Sequence, residues 1–235
     1  MSMTLVVALW RQRLTSPMRL LILFSAFLPP AGFAVLTGTI GAIHGLAYFF
    51  ALVIGAGAIG QDVSSGVLQL TFARPLPRPT YVVSRWFAAG AGGLMLALAQ
   101  LVLVTLLLAA RGMMPGGNEL LVLALTDAIN AFTGAAVIVG LSSLLGGLGD
   151  LAVFTLTSMA VGIGKPIAMM RNWPAVVTAL DEIGRTLQPG VDLGWIVGRG
   201  APAWTDLVTA ASTIALGLAV AILAVNRKEL SYAAD

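Results

Sequence analysis

Six long apolar stretches dominate this sequence, and they restrict its fold more than any other feature. A helix needs about 20 mainly apolar residues to cross a bilayer. The stretches cover about 19–36, 43–60, 86–110, 119–145, 151–170 and 203–225. A glycine-rich break with one charge, Gly146–Asp150, separates the fourth from the fifth. The sequence therefore predicts an all-α, polytopic membrane protein in which one domain, residues 1–235, contains six transmembrane helices.

The composition excludes most other classes of protein. Hydrophobic residues make up 58% of the chain and charged residues 10%, whereas soluble domains average about 25% charged residues. An intramembrane enzyme would need paired acid–base or metal-binding groups at membrane depth. The chain has no cysteine and a single histidine, His44. We therefore expect no catalytic residue and no metal site.

The positive charges predict the orientation of the chain. Basic residues precede the first stretch (Arg11, Arg13, Arg19), fill the loop after the second (Arg74, Arg78, Arg85) and follow the sixth (Arg227, Lys228). The loop between the first and second stretches has none. Because cytoplasmic loops are enriched in Lys and Arg, both termini are predicted to be cytoplasmic. The net charge of +3 is attributed to these loops and not to nucleic-acid binding.

The loop between the second and third stretches, residues 61–85, is the most informative segment. Its Val67, Leu70 and Phe72 form an apolar side opposite polar residues, which predicts a short helix at the cytoplasmic surface. Prolines 75, 77 and 79 then stop helix formation before the third stretch. Asp62 either pairs with cytoplasmic arginines or caps the short helix. A simpler alternative is a basic loop anchored to anionic lipid headgroups.

This loop resembles the signature of type-2 ABC exporter permeases. That signature has an acidic residue, a glycine four residues later, then a Pro-x-Ser-Arg stretch and a further basic residue. The matching positions are Asp62, Gly66, Pro75, Arg78 and Arg85. The chain departs from the signature where Asp62 replaces Glu, Val67 replaces Thr and Pro77 replaces Ser. The six-span layout also resembles the family, and Met3–Leu14 is similar to its interfacial connecting helix.

The resemblance implies a function, which we state here as an expectation. The chain would be the permease subunit of an ABC transporter in a bacterial inner membrane, exporting a lipid, peptide, drug or similar substrate. The five matching residues would belong to a coupling helix that docks on a separate ATPase subunit. That subunit would bind ATP and Mg²⁺, since this chain has no nucleotide-hydrolysis motif and needs no cofactor. A second permease subunit, identical or different, would complete a dimer among membrane lipids.

An alternative role uses the same machinery without moving a solute. In that role the membrane subunit transmits ATPase-driven motion to an accessory protein on the periplasmic side. The residues do not distinguish the two roles. A neighbouring gene for a secreted binding protein would favour the alternative.

The last outer loop contains an amphipathic helix pattern. Val176, Leu180, Ile183 and Leu187 repeat at helical spacing, and Gln188-Pro189-Gly190 ends the pattern. The helix either lies on the outer leaflet or re-enters among the spans, as in the permease family.

Polar residues within the predicted spans are the remaining candidates. Asp127 and Asn130 share a helix face in the fourth span, and Gln100 lies in the third. A charge in the bilayer is costly, so Asp127 should face protein or water. These residues either line a translocation path or form hydrogen bonds that fix helix packing.

Overall fold

The computed structural model describes residues 3–72, 76–198, 202 and 204–232, and these residues form helices and connecting turns without a strand. The α-helices are α1 (Met3–Leu14), α2 (Pro17–Thr37), α3 (Leu46–Gly55), α4 (Gly60–Ser64), α5 (Val67–Phe72), α6 (Arg78–Ala110), α7 (Gly117–Leu144), α8 (Gly149–Met170), α9 (Pro174–Leu187) and α10 (Trp204–Tyr232). Short 3-10 helices cover Ile40–Ile43 and Gly194–Val197. The predicted all-α class is confirmed.

Six segments of the described chain are long and apolar enough to cross a membrane, as predicted. Five correspond to single helices, namely α2, α6, α7, α8 and most of α10. The second span, Ile40–Ser64, is discontinuous and contains a 3-10 helix, α3 and α4. The second and fourth spans are mostly buried, whereas few residues of α2, α8 and α10 are buried.

The bundle has two ends, which we name here. The proximal end carries helix α1 and the turns at Gly60 and Gly147, and the distal end carries the turn after α6 at Arg111. At the proximal end, α1 packs on α6, and the Gly147 amide donates to the carbonyl oxygen of Gly60 at 3.0 Å. At the distal end, Arg111 donates to the carbonyl oxygen of Val35. Helix α1 has the predicted bounds, and Trp10 fixes it by donating to the Ala88 carbonyl oxygen at 2.7 Å.

Helix α6 begins eight residues before the predicted start of the third span near Trp86. Pro77 caps the helix, and Pro79 lies in its first turn. Proline is tolerated in a first turn because the amide hydrogens there have no partner within the helix. The expectation that Pro79 helps to stop helix formation was therefore wrong.

Helix α9 folds back along α8, as in the re-entrant one of the two predicted positions. It runs antiparallel to α8, and Lys165 pairs with Asp181 at 2.5 Å. At its end, Gln188 donates to the Ser158 hydroxyl at 3.0 Å. Ser158 lies 12 residues before the distal end of α8 at Met170, or about 18 Å at 1.5 Å per residue. The helix thus reaches about half of the length of α8.

Candidate functional site

The second span breaks near the proximal end, between α3 and α4. The break is the turn Ala56–Ile59, in which Gly57 has a φ of +69°. Only glycine adopts this conformation without steric cost. Gly55, immediately before the break, packs closely against α7, because a Cβ there would lie 2.5 Å from Ile138. The break was not predicted from the sequence.

Side chains from α7 and α8 bind the backbone amides that the break frees. The Ser142 hydroxyl accepts hydrogen bonds from the amides of Ile59, at 3.1 Å, and Gly60, at 2.9 Å. The Asp150 carboxylate accepts from the Gly57 amide at 2.6 Å. Irregular backbone within a membrane protein is stable only where protein or water satisfies its polar groups. These bonds therefore fix the break to both neighbouring spans.

We expect Ser142→Ala to lower the free energy of unfolding by about 1–3 kcal/mol, because two buried amides lose their acceptor. Ser143→Ala is the matched control. Its hydroxyl is equally buried but donates to the helix carbonyl of Gly140, so its loss leaves no amide unpaired. Unfolding of both variants in mixed micelles measures the difference. Equal effects would contradict the assigned role of Ser142.

Two of the residues matched to the permease signature meet immediately after the break. Asp62 forms an ion pair with Arg85 and accepts a hydrogen bond from the Tyr81 hydroxyl at 2.6 Å. Asp62 is 3% exposed and Arg85 5%. The Arg85 guanidinium also lies 5.2 Å from the centre of the Tyr81 ring, a cation–π distance. This buried group joins α4 to the first two turns of α6.

Helix α1 joins the same region through Arg13, one of the basic residues expected on the cytoplasmic side. Arg13 is 2% exposed and donates to the Gln61 side chain. Burial, and then repulsion from Arg19, lowers its pKa to about 10, so it stays charged at neutral pH. The sequence contained a signal for this burial, because Val6, Leu9 and Arg13 are spaced to share one helical face. In the structure all three residues are buried.

The short helices α4 and α5 project from this anchored base. Gly66 joins them with a φ of +73°, and a Cβ there would meet no atom within 4 Å. Phe72 anchors α5 through an edge-to-face contact with Tyr81, with ring centres 5.5 Å apart. Ser65 and Val67, on either side of Gly66, are exposed. The turn is thus both fixed at its base and accessible at its tip.

The remaining predicted coupling residues lie apart from the Asp62 group. Arg78 is half-buried at the start of α6, and one guanidinium nitrogen lies 3.5 Å from the Asn226 amide oxygen of α10. Pro75 lies outside the described residues. The structure therefore groups Asp62 with Arg85 and leaves Gly66 and Arg78 at separate points of the same end.

The polar residues of the spans serve different contacts. Asn130 forms two hydrogen bonds with the backbone of Val191, accepting from its amide at 3.0 Å and donating to its carbonyl at 3.1 Å. Gln100 donates to the Phe27 carbonyl oxygen at 2.6 Å. Both residues thus make packing bonds within the chain. Asp127 is 3% exposed, and its Oδ1 has no hydrogen-bond partner.

No family model, curated protein or solved structure matches this chain.

Proposed function

We propose that this chain is the permease subunit of an ABC exporter and that α4 and α5 couple it to a separate ATPase subunit. In this proposal the proximal end faces the cytoplasm, with both termini. ATP and Mg²⁺ are bound by the ATPase. A second permease subunit completes the transporter, and the exposed apolar faces of α2, α8 and α10 suit contact with it or with lipid.

The observation that carries the proposal is the contrast between the base and the tip of the α4–α5 segment. Its base is joined to α6 through Asp62 and Arg85, and to α7 through Ser142. Its tip at Gly66 is open. A segment that only anchors to headgroups does not need a buried ion pair with one span and buried hydrogen bonds to another. A segment that transmits force needs both a firm base and an accessible contact surface.

This contrast divides the signature residues into two groups. Asp62 and Arg85 contact each other and are buried, so in this proposal they position the segment and do not touch the ATPase. Gly66, with exposed Ser65 and Val67 beside it, forms the contact surface. Arg78 joins the start of α6 to α10 and would carry motion to the last span.

The test is purification of the tagged chain from membranes of cells that produce it naturally, followed by mass spectrometry and an ATPase assay in nanodiscs. We expect an ABC ATPase to copurify in a fixed ratio. Gly66→Asn should reduce that ratio or the coupled hydrolysis at least about tenfold, equivalent to about 1.4 kcal/mol. Asparagine tolerates positive φ, so the turn is kept while a side chain enters the open space.

Arg111→Glu is the control, because it changes a charge at the distal end. It should leave ATPase binding unchanged. A chain that purifies without any ATP-hydrolysing protein would contradict the proposed function. Normal binding and hydrolysis by Gly66→Asn would contradict the assignment of α4 and α5 as the coupling segment.

A further inference from the structure

Helices α8 and α9 pack against each other and form an antiparallel hairpin. A Cβ at Gly164 of α8 would lie 3.2 Å from the Leu180 side chain of α9. The ion pair between Lys165 and Asp181 lies next to this contact. Both contacts lie within two residues of Pro166, where α8 loses a backbone hydrogen bond. Helix α9 therefore braces α8 at its weakest point, so the hairpin forms one unit.

The side-chain contacts of this hairpin with the second span lie near its proximal end. The Asp150 carboxylate, in the first turn of α8, accepts from the Gly57 amide at 2.6 Å. One turn further along α8, the ring of Phe154 packs with that of Tyr48 from α3, and the ring centres are 6.4 Å apart. The Tyr48 hydroxyl also donates to the carbonyl oxygen of Leu187, the last residue of α9. The hairpin is therefore attached to the second span at two heights.

The distal part of the hairpin is mostly exposed. Beyond Phe154, Ala168 is the one buried residue of α8, and α9 has none; the structure describes both helices in full. Exposed apolar side chains include Met159, Ile163 and Met170. A helix pair that is fixed near one end and has little buried surface along the rest can tilt without opening the core.

The two attachments determine how such a tilt is controlled. Asp150 lies four residues before Phe154, and Met170 lies sixteen residues after it. At 1.5 Å per residue these separations are about 6 Å and about 24 Å. If the hairpin turns about Phe154, a shift of about 1 Å at Asp150 moves Met170 by about 4 Å in the opposite direction. A small change at the break would thus become a large change at the distal end.

We propose that Asp150 is a positioning residue that sets the tilt of the α8–α9 hairpin through its bond to the break in the second span. The bond to the Gly57 amide holds the hairpin in the described position, and its loss lets the hairpin tilt about Phe154 and Tyr48. Ser142 fixes the same break to α7, so the break keeps a second support. The inference concerns the chain alone and needs no ATPase, so it stands or falls separately from the proposed function.

The test measures spin-label distances in nanodiscs, and the chain, which contains no cysteine, provides a clean background. Leu121→Cys in α7 supplies the reference label, and Met159→Cys or Met170→Cys supplies the second; all three positions are exposed. Labelled chain is diluted with unlabelled chain, so that distances within one chain are measured. We expect Asp150→Ala to shift or broaden the Met170 distance by at least about 4 Å. The Met159 distance should change about one third as much, because Met159 lies about 7.5 Å from Phe154.

Ser142→Ala is the matched control, because it removes two hydrogen bonds from the same break and none from the hairpin. Both distances should then stay within the width of the unmodified distribution. Unchanged distances in Asp150→Ala would overturn the proposal. Equal changes at Met159 and Met170, or the same change in Ser142→Ala, would also overturn it, because neither is a tilt controlled by Asp150.

Tyr48→Phe tests the second attachment with a milder change. It keeps the ring contact with Phe154 and loses only the hydroxyl bond to Leu187. We expect it to broaden the Met170 distance distribution, because the end of α9 is released. This variant also decides the matter if Asp150→Ala does not fold, since an unchanged distribution would show that these contacts do not hold the hairpin.

Discussion

Replacing Asp62 with leucine is expected to lower the free energy of unfolding by about 3–5 kcal/mol. The change removes the ion-pair partner of Arg85, which is 5% exposed. A buried charge without its partner destabilises a protein by about this amount. Tyr81 also loses the acceptor of its hydroxyl. Reversible unfolding in mixed detergent micelles measures the loss.

A double-mutant cycle separates the ion pair from general packing damage. Arg85→Met alone should cost less than Asp62→Leu, because Asp62 keeps the Tyr81 hydrogen bond. The double variant should recover most of the loss, since neither charge is then buried alone. Strictly additive losses would show that the two side chains do not depend on each other.

Gly93→Ala is expected to separate α6 from α3. A Cβ at Gly93 would lie 2.6 Å from the Ala51 backbone nitrogen and 2.8 Å from its Cα. Backbone atoms cannot move aside as the end of a flexible side chain can, so the helices must part. Overpacking of this kind typically costs about 1–3 kcal/mol, and more where the neighbouring atoms cannot shift. The expected result is a large loss of folded protein on size exclusion and a lower midpoint of unfolding.

Gly162→Ala is the control for this prediction. Gly162 lies inside α8, where an added Cβ would meet nothing within 4 Å. Alanine favours helix over glycine by about 0.5–1 kcal/mol. This variant should match or exceed the stability of the unmodified chain. Equal stability of the two alanine variants would mean that α3 and α6 do not pack as closely as described.

The elements that could be predicted are those whose signal is local in the chain. The spans follow from the length of their apolar stretches. The resemblance predicted α1, which has the expected bounds Met3–Leu14. The helical spacing of Val176 to Leu187 predicted α9, which begins two residues earlier, at Pro174. The position of α9 beside α8 depends on contacts such as that between Lys165 and Asp181, so the sequence left two positions open.

The details of the candidate site depend on long-range contacts and could not be predicted in the same way. The break at Gly57 is stabilised by Asp150, which is 93 residues away. A glycine-rich pattern alone fits close packing as well as a break. Asn130 binds Val191 across 61 residues. Its helix face predicted an important polar contact without identifying the partner.

The re-entrant position of α9 has a consequence for how the protein is made. With 14 residues, α9 is about 21 Å long, and it carries Asp181, Glu182 and Arg185. It is therefore too short and too polar to be inserted by the translocon as a span. It must fold into place after α3 and α8, which supply Tyr48 and Lys165 as its partners, are already in the bilayer. Biogenesis thus includes a folding step that follows the insertion of these spans.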